Sequence, residues 1–294
     1  MTILRSTVLL MFISTAVIAQ DDLMKEMLDS EKPQTNYASS TFKGSRIING
    51  QSIETRGKGE LEFIFAHRFG PVSGGSYELF GLDQAYVRLG LEYGITDNLG
   101  VGFGRNSFDK TMDGYLRYKF IRQSTGAVNF PVTVTAFGSG AIRTSPRAQD
   151  AAYDIQLVDR LAYTAQLLIA RKFSPSFSMQ LMPTLVHKNT VDKTVETNDV
   201  YALGFAGRLK VSRSIALTSE YYHRFNVGNA NPYYNAVGVG IDIETGGHVF
   251  QLIFTNTRGL TERAFITETQ GDVRNGDFSL GFNVTRAFQV KKPK

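Results

Sequence analysis

From residue 59 to residue 288 the chain repeats a single pattern, in which apolar side chains alternate with polar residues or glycine. Ala85, Val87, Leu89, Leu91 and Tyr93 are interleaved by Tyr86, Arg88, Gly90, Glu92 and Gly94. Leu99, Val101 and Phe103 are spaced by glycines, and Val237, Val239, Ile241 and Ile243 by Gly238, Gly240, Asp242 and Glu244. Successive side chains of a strand point to opposite faces, so every such run makes a ribbon with one greasy and one polar side. About twelve segments read this way, many of them reaching the roughly 9–11 residues that a tilted strand needs to cross hydrocarbon. No apolar run after residue 19 approaches the roughly 18 residues that a spanning helix requires. If the mature chain enters a membrane, it must do so as a closed barrel.

The connections carry a second signal. Short links at 95–98, 173–176, 211–214 and 244–247 alternate with longer ones at 69–84, 140–158, 187–199, 226–234 and 257–275. Outer-membrane barrels have short periplasmic turns and long outer loops, and the alternation stays in phase when the strand count is even. The fold expected is therefore all-β, a transmembrane antiparallel up-and-down β-barrel of about twelve strands with both termini periplasmic.

The first residues have another character. Arg5 and the apolar stretch 8–18, with small residues before residue 20, match a secretory signal peptide over 1–19. Residues 20–58 are expected to form a periplasmic N-terminal segment with a short amphipathic helix over 21–31, ended by Pro33. The barrel is expected over 59–290, followed by a tail at 291–294.

Alternation alone does not say which solvent meets which face, because a soluble barrel would bury the same apolar residues. Strand length and loop asymmetry favour the membrane. So does the polar face, where glycine mixes with both signs of charge. On that reading Arg88, Glu92, Asp113, Arg117, Lys119, Glu220, Tyr222, Arg224, Asp242 and Glu244 line the lumen. Aromatic residues near strand ends, among them Tyr93, Tyr118, Tyr201 and Tyr221, fit an interfacial girdle, although tryptophan is absent.

The absence of cysteine removes disulfides, thiolate metal sites and cysteine nucleophiles. Signal cleavage leaves 31 basic and 27 acidic residues with the signs interspersed, so no nucleic-acid partner is expected. The glycine-rich run 100–105 lacks the Lys-Ser/Thr of a phosphate loop and lies in an alternating strand, where lumen-facing glycine is the simpler reading. His67, His187 and His223 fall toward the outer strand ends and His248 at a turn. None has the i, i+4 spacing of a helical metal site, so no metal or cofactor is expected. Ser219 shares parity with Tyr221 and His223, which keeps open a serine hydrolase on the outer wall.

The runs TFKGSRIINGQSIETR (41–56), FGLDQAYVRLGLEYGITDNLGVGFGRNSFDKTMDGYLRYKF (80–120), LLIARKF (167–173), QLMPTLVH (180–187) and GGHVFQLIFTNTRGL (246–260) resemble the domain-of-unknown-function 5777 family of β-barrel proteins from Bacteroidota. The resemblance covers nearly all of the mature chain. It implies a barrel and an envelope location, and it carries over no catalytic residue. The last strand is similar to the C-terminal assembly signal of outer-membrane barrels, but six residues follow its aromatic Phe288.

The expectation is a non-enzymatic outer-membrane protein in contact with membrane lipid. It is either a narrow channel for small polar solutes or a structural envelope component. Two readings stay beside it: a lipid-modifying hydrolase using Ser219 and His223, and a docking protein that recruits a partner through the loops 140–158 and 257–275 or the N-terminal segment. Whether residues 20–58 plug the lumen is left open by the sequence.

Overall fold

The computed structural model describes residue 24, residues 34–145 and residues 156–291. The expected signal peptide lies outside the described residues. So do the expected helix over 21–31, except Met24, and positions 146–155 of the loop 140–158.

The chain divides into two compact units. The smaller contains a two-stranded antiparallel ribbon of β1 (Thr35–Tyr37) and β6 (Ser124–Gly126), with Asn36 opposite Thr125. The larger, Ala38–Gln123 with Pro131–Lys294, is a closed barrel.

Among the described residues the barrel has twelve strands: β2 (Glu60–Pro71), β3 (Ala85–Gly94), β4 (Leu99–Asn106), β5 (Thr111–Ile121), β7 (Thr133–Arg143), β8 (Leu161–Lys172), β9 (Phe177–Lys188), β10 (Asp199–Lys210), β11 (Ile215–Arg224), β12 (Val237–Thr245), β13 (His248–Thr255) and β14 (Ser279–Gln289). Each pairs antiparallel with the next, and β14 closes onto β2 with Gln289 opposite Glu60. Closure leaves no unpaired edge, which a sheet in hydrocarbon cannot tolerate. The links 95–98, 173–176, 211–214 and 246–247 fall at one end of the barrel and most long ones at the other, but the short link 107–110 lies at the long-loop end and the long link 122–132 at the short-turn end.

The greasy faces point outward. Phe63 is 40% exposed, Leu89 49%, Leu116 57% and Ile241 40%, with Leu203 half-buried. The polar faces point inward, where Arg88 and Arg117 are each only 1% exposed and Glu92 is 0%. A water-soluble protein places these two sets the other way round. The exposed ring of leucine, phenylalanine and valine calls for lipid in place of water.

The interior is not empty. Positions 41–53 are buried except Lys43, and positions 255–269 are buried except Arg258 and Glu268. The lumen therefore holds a stretch of the N-terminal segment, which had been expected in the periplasm. It also holds residues 255–269 of the β13–β14 connection, which on the docking alternative projects outward. That connection carries one short helix, α1 (Glu262–Thr267), packed against β8, β9 and β11.

Candidate functional site

Residues 45–52 form a tight hairpin inside the barrel. Arg46 bridges Gln51 antiparallel, the Ile47 N–H donates to the Gly50 carbonyl at 2.9 Å, and the Ser52 N–H donates to the Ser45 carbonyl at 2.9 Å. A two-stranded hairpin leaves the outer edges of its backbone without partners, and buried backbone groups must find them. The barrel wall supplies these from side chains. The Glu220 carboxylate accepts three consecutive N–H groups, from Ile48 at 3.3 Å, Asn49 at 3.3 Å and Gly50 at 2.9 Å. Gln180 accepts from the Ile53 N–H at 2.9 Å and donates to the Gln51 carbonyl at 2.7 Å. Gln251 donates to the Ile47 carbonyl at 2.7 Å, while Asn283 and Arg68 both reach the Ile48 carbonyl, at 3.0 and 3.1 Å. Arg117 donates to the Glu54 carbonyl at 2.7 Å and to the Gln51 side chain. These anchors come from β2, β5, β9, β11, β13 and β14, so the hairpin is held around most of the circumference.

The second insert enters from the long-loop end and meets the first. The Glu262 carboxylate accepts from Arg46 Nη1 at 3.0 Å and from Gln51 Nε2 at 2.7 Å. The Phe265 ring packs edge-on against Tyr222 at 5.3 Å. Arg263 ties the helix to Asp109 of the β4–β5 link at 3.0 Å and to Glu268 at 2.5 Å. Together the two inserts occupy the lumen.

Of the ten positions read from sequence as lumen-lining, most are bonded to the inserts or to one another. Arg88 holds Asp113 through two bonds, at 2.9 and 2.5 Å. Glu92 faces Arg117 at 3.0 Å and accepts from Tyr115 Oη at 3.0 Å. Glu220 grips the hairpin, and Tyr222 lies between the hairpin and α1. Arg224, at the outer end of β11, donates to the Thr267 carbonyl at 3.5 Å and to the Asn235 side chain at 3.3 Å. Asp242 accepts from Gln251 at 2.9 Å. Glu244 pairs with Arg208 at 2.8 Å and with Lys43 at 2.9 Å. Lys119 stands apart from the hairpin tip, at a cavity of about 290 Å³ at the short-turn end. Apart from Lys119, these charged positions are engaged in pairs and hydrogen bonds, which offsets their desolvation.

The glycines of β4 have a plain role here. A Cβ at Gly102 would stand 2.0 Å from the Tyr115 ring, and one at Gly104 would stand 2.3 Å from the Arg88 guanidinium. They make room for Tyr115 and Arg88 on the neighbouring strands.

The structure does not bring Ser219 and His223 together. Ser219 is opposite Gly207 and His223 opposite Leu203, four residues apart on β11, so their Cα atoms are separated by about 13 Å at the rise of an extended strand. His223 contacts the Tyr221 hydroxyl at 3.3 Å, and His187 pairs with Asp199 at 2.7 Å. His67 stacks on Phe282 at 5.1 Å. Among the described residues no three His, Asp or Glu side chains converge as metal ligands.

Sequence reasoning missed the hairpin itself, and with it Arg68, Gln180, Gln251 and Asn283. Period-two parity places these four on the polar face, so the face was available from sequence but the partner was not.

A closed, lipid-girdled antiparallel barrel with a polar interior defines an outer-membrane β-barrel protein. The chain belongs to the membrane-bound beta barrel domain family DUF5777, which matches residues 42–288. The match begins at the plug, so the hairpin is part of the family's domain. Among solved structures, the NanC porin is similar at 8% identity and a TM-score of 0.48, covering 78% of this chain and 98% of that one. The KdgM porin gives 8% and 0.46 over 78% and 99%, and the Acinetobacter baumannii outer membrane protein Omp33 gives 10% and 0.42 over 81% and 100%. With TM-scores below 0.5, these likenesses carry no weight for the chain's solute. No curated protein matches the chain.

Proposed function

We propose that the protein is an outer-membrane barrel without catalytic activity, one that keeps its lumen closed and serves the envelope as a structural component. The observation that carries this reading is the hairpin 45–52, whose backbone is bonded to side chains of six strands. A segment held only for passage through a conduit has no need of such anchoring. The barrel sits with its short turns and both of its ends in the periplasm, and the signal peptide 1–19 directs its export. Lipid covers the outer belt.

A narrow channel for small polar solutes is the second reading, and it requires both inserts to leave the lumen. Planar bilayers separate the two. The wild-type protein is expected to stay silent, and discrete conductance steps from it would overturn the closed reading in favour of the channel. A Glu220→Ala, Gln180→Ala double variant that conducts would show that the protein inserts and that the hairpin is the seal.

A further inference from the structure

The outward faces of β10, β11 and β12 form an apolar trough of about 510 Å³ on the lipid side of the wall. Its floor is Gly207 and Ser219, which lie opposite each other, with Val239 next in register. Leu209, Leu217 and Ile241 make the ridge on one side, and Phe205 and Tyr221 stand on the other. The same register row runs on from Gly207 through Met179 to Arg171 of β8. The row climbs across the wall: Arg171 is second from the short-turn rim in β8, Ser219 fifth in β11 and Val239 seventh in β12. Four strand spacings separate Arg171 from Val239, about 19 Å at the usual distance between neighbours. A slanted path of that length crosses about one leaflet of a hydrocarbon core about 30 Å thick.

We infer that this trough holds one acyl chain of an anionic phospholipid whose phosphate rests on Arg171. Bulk lipid covers the whole outer wall, but a depression with a charge at its lower end gives one molecule a fixed place. Arg171 is exposed on the same face as Tyr163 and Leu167, and among the described residues it has no carboxylate partner. Its guanidinium lies over the Phe173 ring at 5.2 Å, and Phe173 packs at 5.8 Å on Phe177, which stands at the foot of the trough. The stacking holds the charge where the apolar surface ends, and a guanidinium there can grip a phosphate with two parallel bonds. The turns 173–176 and 211–214 flanking this foot contain Arg213 and no acidic residue. A zwitterionic head would bring its ammonium group to a place that offers it no carboxylate, so a net negative lipid is favoured. On the orientation proposed above the short-turn rim lies in the inner leaflet, which makes the ligand a phospholipid and not a glycolipid of the outer surface.

Native mass spectrometry of the full chain, released from nanodiscs of equal phosphatidylglycerol, phosphatidylethanolamine and phosphatidylcholine, tests this. One phosphatidylglycerol is expected to stay bound, with its affinity lowered about tenfold by Arg171→Gln, the order of one lost charge-assisted bond. Gly207→Leu fills the floor and is expected to release the lipid as well; a Cβ at Gly207 meets only the Ser219 hydroxyl, at 3.2 Å, so the backbone has room for it. Gly114→Leu, which adds the same bulk to the exposed face of β5, is expected to keep the lipid. Each variant must keep the heat-modified gel migration of the folded barrel. No retained lipid, equal retention of the three lipids, retention untouched by Arg171→Gln and Gly207→Leu, or equal loss in Gly114→Leu would overturn the proposal. Displacement of phosphatidylglycerol by added lipid A would overturn it too, by placing the rim in the outer leaflet. The measurement reports the outer wall whether or not the barrel conducts, so its failure is distinguishable from failure in the bilayer experiment.

Discussion

The Glu220 carboxylate accepts a 2.9 Å hydrogen bond from the backbone N–H of Gly50, across 170 residues of sequence. The same carboxylate takes the two preceding N–H groups, so one side chain of β11 caps the tip of a hairpin that no strand pairs. This contact links a wall residue to the hairpin inserted in the lumen.

Replacing Glu220 with glutamine keeps its shape but removes the charge that strengthens these bonds. Hydrogen bonds to a charged group contribute about 1.5–3 kcal/mol, and a loss of that order is expected. Denaturant unfolding in detergent micelles, followed by tyrosine fluorescence, should show the lower midpoint.

At Gly50 the constraint is contact rather than backbone angle. A Cβ there would meet the Tyr222 hydroxyl at 2.4 Å and Glu220 at 3.0 Å. Gly50→Ala is therefore expected to push the hairpin off its seat, raising amide exchange over residues 45–52. Adding Tyr222→Phe removes the nearest atom and should restore part of the protection.

Arg117 and Glu92 face each other fully buried, and Arg117 also holds hairpin carbonyls. Truncation to alanine leaves a buried carboxylate unpaired, a loss of about 3–5 kcal/mol in comparable cases. Arg117→Met combined with Glu92→Met should recover much of this. The part not recovered, read from the same unfolding curves, measures the anchoring of the hairpin.

Leu116 lies mid-strand on β5 and points out of the barrel, 57% exposed. Leu116→Arg at the bilayer midplane is expected to destabilise by about 2–4 kcal/mol. Reversible folding into phosphatidylcholine vesicles measures it. A neutral or solubilising effect there would contradict the lipid-facing assignment.

Much of this molecule is visible in a strand-by-strand reading. The parity of Leu89 against Arg88, repeated through Leu116 and Arg117, separates the lipid face from the enclosed one because a strand has only two faces. Link lengths place the turns. The same parity puts Glu220, Tyr222 and Asp242 inside without naming what they touch. The hairpin 45–52 and the stretch around α1 have no comparable signature: 41–50 reads as a strand in which Arg46, Ile47 and Ile48 fit period two only loosely, and 257–269 reads as an ordinary long loop.

The amino-acid sequence by itself determined the barrel, its strand number and which side meets lipid, since those follow from a local repeat and the cost of bare backbone in hydrocarbon. Only the tertiary structure decided that two inserts occupy the lumen, because this depends on Glu220 and Gln180 meeting a backbone 127 to 170 residues away and on Glu262 meeting the Gln51 side chain across 211 residues. Such contacts are irregular and long-range. They leave no periodic trace in the chain that makes them.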